Sequence, residues 1–190
     1  MFTTYLSLGF DHILDFKGYD HILFVIVLCA VYKVNEWKKV LILVTAFTIG
    51  HSITLAMSAL DIVHYKAEVI EFLIPLTILV TAFYNVFEKK STHLNINLNY
   101  IMALFFGFIH GLGFSNYFKA LMGKEESVIM PLLAFNVGVE LGQLIIVALT
   151  MTAAYVFMNL LKVRQREWII FVSGAAAGIS YILLVEAKFW

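Results

Sequence analysis

The sequence predicts an all-α membrane protein, a polytopic helical bundle of about six transmembrane helices with an interfacial helix at its amino terminus. Of its 190 residues, 62% are hydrophobic and 14% are charged, and the mean hydropathy is +0.89. A soluble domain of this size does not need so much apolar surface. The apolar runs do not alternate with the period of two that is typical of membrane β-strands.

The first segment, residues 1–17, mixes aromatic and aliphatic residues with Asp11, His12, Asp15 and Lys17. This mixture predicts an interfacial helix. A cleaved signal peptide is not expected, because no basic residue precedes the apolar stretch and no small-residue cleavage site follows it.

Six apolar runs follow, each bordered by short charged or polar segments, at 18–32, 37–60, 67–87, 99–121, 128–161 and 168–189. A hydrocarbon core of about 30 Å requires about 20 residues of helix, so each run is a candidate crossing. The fifth run is longer than a straight crossing, and a break near Gly138 and Gly142 would raise the number of spans to seven. We therefore predict one membrane domain over 1–190, with the bundle at 18–190.

The charges predict the orientation of the bundle and exclude one class of partner. One set of predicted loops carries eight Lys or Arg residues and the other carries five. Because basic loops tend to stay in the cytoplasm, we expect both termini outside. The formal net charge is zero, and the sequence has no basic stripe of the kind that binds nucleic acid. We therefore expect no nucleic-acid partner. The single cysteine, Cys29, lies in an apolar run and is predicted to pack there.

Polar and ionisable residues inside the apolar runs are the strongest functional signal. They are expensive in a membrane and usually line a site or a pathway. Imidazole and carboxylate ligands suit nickel, cobalt, zinc or ferrous iron. The candidate metal ligands are Asp20, His21, His51, His110, Asn136 and Glu140. The candidates for the entrance are His12, Glu68 and Glu71, whereas His64 and His93 lie in predicted loops.

Glu140 has four explanations in this sequence. Ionised at a helix centre, it would cost about 2.5–3.5 kcal/mol. It could be protonated, hydrogen-bonded to Asn136 or Gln143, paired with a protonated histidine, or bound to a cation. One helix face carries Asn136, Glu140 and Gln143, and we expect it to point inward. At about 1.5 Å rise per residue, Glu140 lies about 18 Å below the start of its helix, close to the bilayer centre.

Four motifs carry a resemblance to a known family: GYDHILF at 18–24, FTIGHSITL at 47–55, GFIHGLGF at 107–114 and FNVGVELGQ at 135–143. With these motifs the chain resembles the HupE/UreJ family, membrane proteins associated with hydrogenase and urease accessory functions and proposed as nickel permeases. The resemblance implies metal uptake, with Asp20, His21, His51, His110 and Glu140 at the matching polar positions. We accordingly expect a location in the bacterial inner membrane.

Three functions fit these observations. The first is transport of nickel or another divalent transition-metal ion across the lipid bilayer, with a metalloenzyme maturation system or a second copy of the chain as the candidate protein partner. The second is an intramembrane zinc hydrolase in which three histidines hold zinc and a carboxylate activates water, although no His-Glu-x-x-His motif is present. The third is a metal sensor or accessory protein that binds an ion without conducting it. We expect a transporter rather than an enzyme.

Overall fold

The computed structural model describes residues 2–16, 18–87, 96–122 and 128–188, with only the backbone at 96–98, so that Lys17 and His93 lie outside the described residues. The described residues form seven α-helices and no strand, which confirms the predicted all-α class. The helices are α1 (Phe2–Ile13), α2 (Asp20–Cys29), α3 (Trp37–Ala59), α4 (Ala67–Phe87), α5 (Ile96–Met122), α6 (Ile129–Tyr155) and α7 (Gln165–Glu186). A 3-10 turn, Val34–Glu36, precedes α3, and a π-helical segment, Val156–Leu160, extends α6.

Five of these helices, α3 to α7, are long and apolar enough to cross a membrane. The fifth apolar run forms one continuous helical segment, Ile129–Leu160, which passes through Gly138 and Gly142 without a break. The predicted crossing at 18–32 contains only the ten-residue α2, which is about 15 Å long, half of a hydrocarbon core.

Helix α1 packs lengthwise along the first half of α6. A Cβ added to Gly9 would overlap the carbonyl oxygen of Phe135, and one added to Gly138 would overlap that of Leu6. Further along, a Cβ on Gly142 would lie 2.6 Å from Cγ2 of Ile13. Residue numbers rise together along the two helices, so α1 and α6 run parallel. The glycines are required because the two backbones approach too closely for side chains.

Helices α3 and α5 form the second close pair. A Cβ on Gly50 would overlap the carbonyl oxygen of Leu104, and one on Gly107 would overlap that of Phe47. A Cβ on Gly111 would overlap the carbonyl oxygen of His51. Because residue numbers rise together along the two helices, the pair is parallel, and it brings His51 beside the turn of α5 that carries His110.

The segment that follows α2 reaches the end of the bundle opposite to the one at which α2 begins. Beyond its last turn, the side chain of Gln165 donates to the carbonyl oxygen of Val31 at 3.0 Å and that of Asn99 donates to the hydroxyl of Tyr32 at 3.0 Å. Gln165 begins α7. We call this end of the bundle the basic end, because its described cations are Lys33, Lys38, Lys39, Lys162, Arg164 and Arg166. The opposite, acidic end carries Asp61, Glu68, Glu71 and Glu186.

Candidate metal site

Four histidines from four helices converge inside the bundle: His12 of α1, His21 of α2, His51 of α3 and His110 of α5. The ring centroid of His21 lies 4.6 Å from that of His12, 4.9 Å from that of His110 and 6.2 Å from that of His51. His51 and His110 are fully buried and His21 is 4% exposed. We call these four residues the histidine cluster.

Two groups of three residues at the cluster have candidate ligand atoms that lie within 4.8 Å of one another, and the second group adds Asp20. One group is His12, His21 and His51, and the other is Asp20, His21 and His110. Only His21 belongs to both. Metal–nitrogen bonds of about 2.0–2.1 Å place the ligand atoms of one ion closer together than 4.8 Å, so binding requires a small inward movement of these side chains.

Hydrogen bonds determine the tautomers of two of these rings. Oδ1 of Asp20 lies 2.9 Å from Nδ1 of His21 and also accepts the backbone N–H of His21 at 2.8 Å. A carboxylate only accepts, so Nδ1 of His21 carries the hydrogen and Nε2 keeps the lone pair. In His110, Nε2 lies 3.2 Å from the hydroxyl of Thr77, whose own proton goes to the carbonyl oxygen of Ile74 at 2.7 Å. Nδ1 of His110 therefore keeps the lone pair.

Within the described part of the chain, five ring nitrogens of the cluster are buried and have no hydrogen-bond partner: Nε2 of His12, Nε2 of His21, both nitrogens of His51 and Nδ1 of His110. A buried polar atom without a partner costs about 1–3 kcal/mol. Two of the five are the atoms that the tautomers leave with a lone pair. The donor set therefore fits a transition-metal ion, which binds the neutral imidazole nitrogen.

Aromatic side chains enclose the cluster. The ring of Phe114 lies 3.9 Å from that of His12, and Phe135 stacks on His51 at 6.1 Å. Phe24 and Phe47 lie 5.3 and 5.2 Å from His110, on the side of the basic end. These phenylalanines exclude water and strengthen electrostatic interactions within the cluster.

A cavity of about 590 Å³ lies on the opposite side of the cluster, towards the acidic end. We call it the vestibule. Its polar lining comprises Asp11, His12, Asp15, Asp20, His21, Glu71, His110 and Tyr117. A second cavity of about 340 Å³ adjoins it and shares Asp20 and Glu71. Of the predicted entrance residues, His12 and Glu71 line the vestibule, whereas Glu68 is exposed in the first turn of α4 and is not part of its lining.

Two predicted ligands on α6 lie elsewhere. Glu140 is half-buried and accepts a hydrogen bond from the hydroxyl of Thr45 at 2.7 Å, and neither group of candidate ligands includes it. The side-chain amide of Asn136 donates to the carbonyl oxygen of Leu132 at 2.8 Å, and its Oδ1 is buried without a partner. Gln143 accepts from Thr48 at 2.7 Å. The polar face of α6 thus meets hydroxyl groups of α3.

Sequence reasoning assigned His12 to the entrance and did not single out Thr77. His12 enters the cluster because the glycine contacts hold α1 against α6, and the pair Gly9 and Gly138 was the available signal. Thr77 lies in α4 one turn before Thr81. Two threonines at this spacing are typical of ordinary helix packing, so the sequence did not indicate a role for Thr77.

A family model described as HupE / UreJ protein matches residues 1–187, nearly the whole chain. No curated protein and no solved structure matches it.

Proposed function

Because the chain belongs to the HupE/UreJ family of membrane proteins, we propose that it carries a divalent transition-metal ion across the membrane through the histidine cluster. The observation that carries this proposal is the set of five buried, unpartnered ring nitrogens beside a cavity lined by carboxylates. A hydrogen-bonded packing role for the histidines would have given these nitrogens partners on the neighbouring helices.

The proposed ligands are His12, His21, His51 and His110, with Asp20 both orienting His21 and balancing part of the charge of the ion. An imidazole that donates a hydrogen bond to a carboxylate is a strong ligand for metals of borderline softness. Nickel, cobalt, zinc and ferrous iron are therefore the expected substrates. Oδ1 of Asn136 is a further oxygen donor that the ion could recruit. Glu140 joins α3 to α6 through Thr45, and its contribution to metal binding stays a prediction.

The expected direction of transport is inward, from the acidic end to the basic end. Positively charged segments tend to stay in the cytoplasm, which would turn the vestibule to the outside. The parallel packing on α6 starts α1 at the acidic end, where α7 also finishes, in agreement with the expected outside location of both termini. The bacterial inner membrane is the proposed site of action, with a hydrogenase or urease maturation system as the candidate recipient of the ion.

Carboxylates have a defined task in this mechanism. Asp11, Asp15 and Glu71 of the vestibule would attract a hydrated cation and raise its local concentration. At the cluster, imidazole nitrogens would replace its water molecules, and the aromatic enclosure would hold it away from bulk water. Onward movement requires the phenylalanines between the cluster and the basic end to separate, as in transporters that expose a central site to each side in turn.

The experiment is uptake into proteoliposomes of nickel, cobalt, zinc and ferrous iron, compared for the wild type, His51→Ala and the control His64→Ala. His64 is exposed in the loop before α4, so its removal should leave uptake unchanged. Uptake of one ion that falls at least about tenfold in His51→Ala supports the proposal. Uptake that is equal in all three proteins contradicts it.

One observation also favours an intramembrane zinc hydrolase. Three histidines beside a carboxylate and a cavity that can hold water resemble catalytic zinc sites, which keep one position open for water. Turnover of a lipid or peptide bond without metal uptake would support this second candidate. Stoichiometric metal binding with neither uptake nor turnover would instead support a sensor or accessory function.

A further inference from the structure

We propose that a small cavity near the basic end holds the ion after it leaves the histidine cluster. The cavity has a volume of about 20 Å³ and lies between α4, α5 and residues 28–32. We call it the inner cavity. Its polar lining comprises Tyr32, Thr81, Tyr84, Asn85 and Asn99. This inference rests on the proposed transport function and adds a position on the exit side of the cluster.

The lining of the inner cavity is polar although it is buried. Tyr32, Thr81, Asn85 and Asn99 are each at most 8% exposed, and buried polar side chains in a membrane protein tie helices together or line a pathway. Asn85 donates to the carbonyl oxygen of Val27 at 2.9 Å, and Asn99 donates to the hydroxyl of Tyr32 at 3.0 Å. Both bonds use amide N–H groups, which leaves the amide oxygens available to a ligand.

One face of α4 connects the histidine cluster with the inner cavity. Thr77, Thr81 and Asn85 are buried and recur at intervals of four residues, so they share this face. The hydroxyl of Thr77 lies 3.2 Å from Nε2 of His110, in the cluster. At about 1.5 Å rise per residue, Asn85 lies about 12 Å closer to the basic end than Thr77. The face therefore leads from the cluster towards the side on which the ion is proposed to leave.

Two phenylalanine rings separate the cluster from the inner cavity. The ring of Phe24 lies 5.3 Å from that of His110 and 5.9 Å from that of Phe106, and Phe106 lines the inner cavity. An ion that leaves the histidines must pass these rings. Their movement would open the cluster into a polar cavity instead of into lipid, and this gives the released ion a place to bind.

The ligands that the inner cavity offers are weaker than those of the cluster. Its lining, in the part of the chain that the structure describes, provides hydroxyl and amide groups and neither imidazole nor carboxylate. Transition-metal ions bind imidazole in preference to such oxygens. The volume is enough for one water molecule, or for one ion held directly by side chains. A weak second position favours release, because conduction requires that an ion can leave each site that it enters.

Asn99→Asp tests the proposal by strengthening the inner cavity as a metal site. The carboxylate can accept the hydroxyl proton of Tyr32, so a hydrogen bond is retained at this position. We expect a second cobalt ion per chain in addition to the one in the cluster. We also expect uptake to fall about tenfold or more, because a tighter exit position delays release. Equilibrium dialysis of the full-length protein in lipid nanodiscs counts the bound cobalt, and proteoliposomes measure uptake.

The matched control is Asn35→Asp, which adds the same charge to the exposed 3-10 turn at the basic end. It should change neither the number of cobalt ions bound nor the uptake. Asn99→Leu removes the oxygen, and it should retain the cobalt of the cluster with unchanged affinity while uptake falls. A fall in uptake together with a second cobalt ion is not expected if Asn99 serves packing alone.

Three results would overturn the inference. They are one bound cobalt with unchanged uptake in Asn99→Asp, a second cobalt with unchanged uptake, and slower uptake without a second cobalt. In each case, uptake by the wild type would leave the transport function standing. No uptake of any ion by the wild type would instead contradict the transport function and the inference with it. Elution volume and helical circular dichroism identify a variant that fails to fold, and Asn85→Asp then replaces Asn99→Asp.

Discussion

Thr77 accepts a hydrogen bond from Nε2 of His110 at 3.2 Å, because the only hydroxyl proton of Thr77 is donated to the carbonyl oxygen of Ile74 at 2.7 Å. The hydroxyl therefore selects the tautomer of a histidine that lies on a different helix. Partners of this kind raise metal affinity by orienting the ring and by keeping the correct nitrogen free.

Thr77→Val should lower metal affinity about tenfold, because valine has the same shape but cannot accept the Nε2 hydrogen. The matched control is Thr81→Val on the same helix, where the hydroxyl is also buried and donates to the carbonyl oxygen of Thr77. Isothermal titration with cobalt would measure both variants. An equal loss in the two would mean that any buried hydroxyl of α4 matters and that tautomer selection does not.

Asp20→Asn should lower metal affinity about 10- to 100-fold. The asparagine oxygen can still accept from His21, so the substitution removes the charge while it retains the shape. Titration of the purified protein with nickel gives the affinity. Asp61→Asn serves as the control, since Asp61 is exposed and pairs with Lys119 at 2.6 Å. Unchanged binding in Asp20→Asn would show that the negative charge contributes nothing.

Gly138→Ala should separate α1 from α6 and take His12 away from the cluster. The added Cβ would overlap the carbonyl oxygen of Leu6, and overpacking of this kind costs about 1–3 kcal/mol. Gly174→Ala is the matched control, because a Cβ at that position meets no atom within 4 Å. Thermal unfolding in detergent and cobalt titration are the measurements. If Gly138→Ala binds cobalt as tightly as the control, His12 does not contribute to the site.

Metal affinity should fall as the pH is lowered from neutral into the acidic range, because a proton and a metal ion compete for the same imidazole lone pair. Equilibrium dialysis with cobalt at several pH values measures this competition. The ion pair at the acidic end should not contribute, since Lys119 holds the pKa of the Asp61 carboxyl below its usual range. A lowered pKa keeps Asp61 ionised at neutral and mildly acidic pH, and any stability that its ion pair adds is lost only at lower pH. Binding that is independent of pH would exclude histidine ligands.

The membrane class and the convergence of His21, His51 and His110 follow from sequence, because ionisable residues in apolar helices must face the interior of the bundle or a cavity. The short length of α2 could not be predicted from the sequence, because the apolar run continues beyond Cys29 whereas the helix ends there. Depth along a helix is also predictable from its rise per residue, but rotation about its axis depends on the neighbouring helices. Glu140 accordingly accepts a hydrogen bond from Thr45, a contact that no local sequence pattern indicates.

The packing of α1 on α6 has a consequence for biosynthesis. Residues around Gly9 leave the ribosome long before their contacts around Gly138 have been made. A helix of twelve residues is too short to span a bilayer alone, so α1 must wait for α6 to arrive. A chain arrested before α6 would already contain His21, His51 and His110 but would hold no docked His12. The proposed metal site thus becomes complete only when nearly the whole protein has entered the membrane.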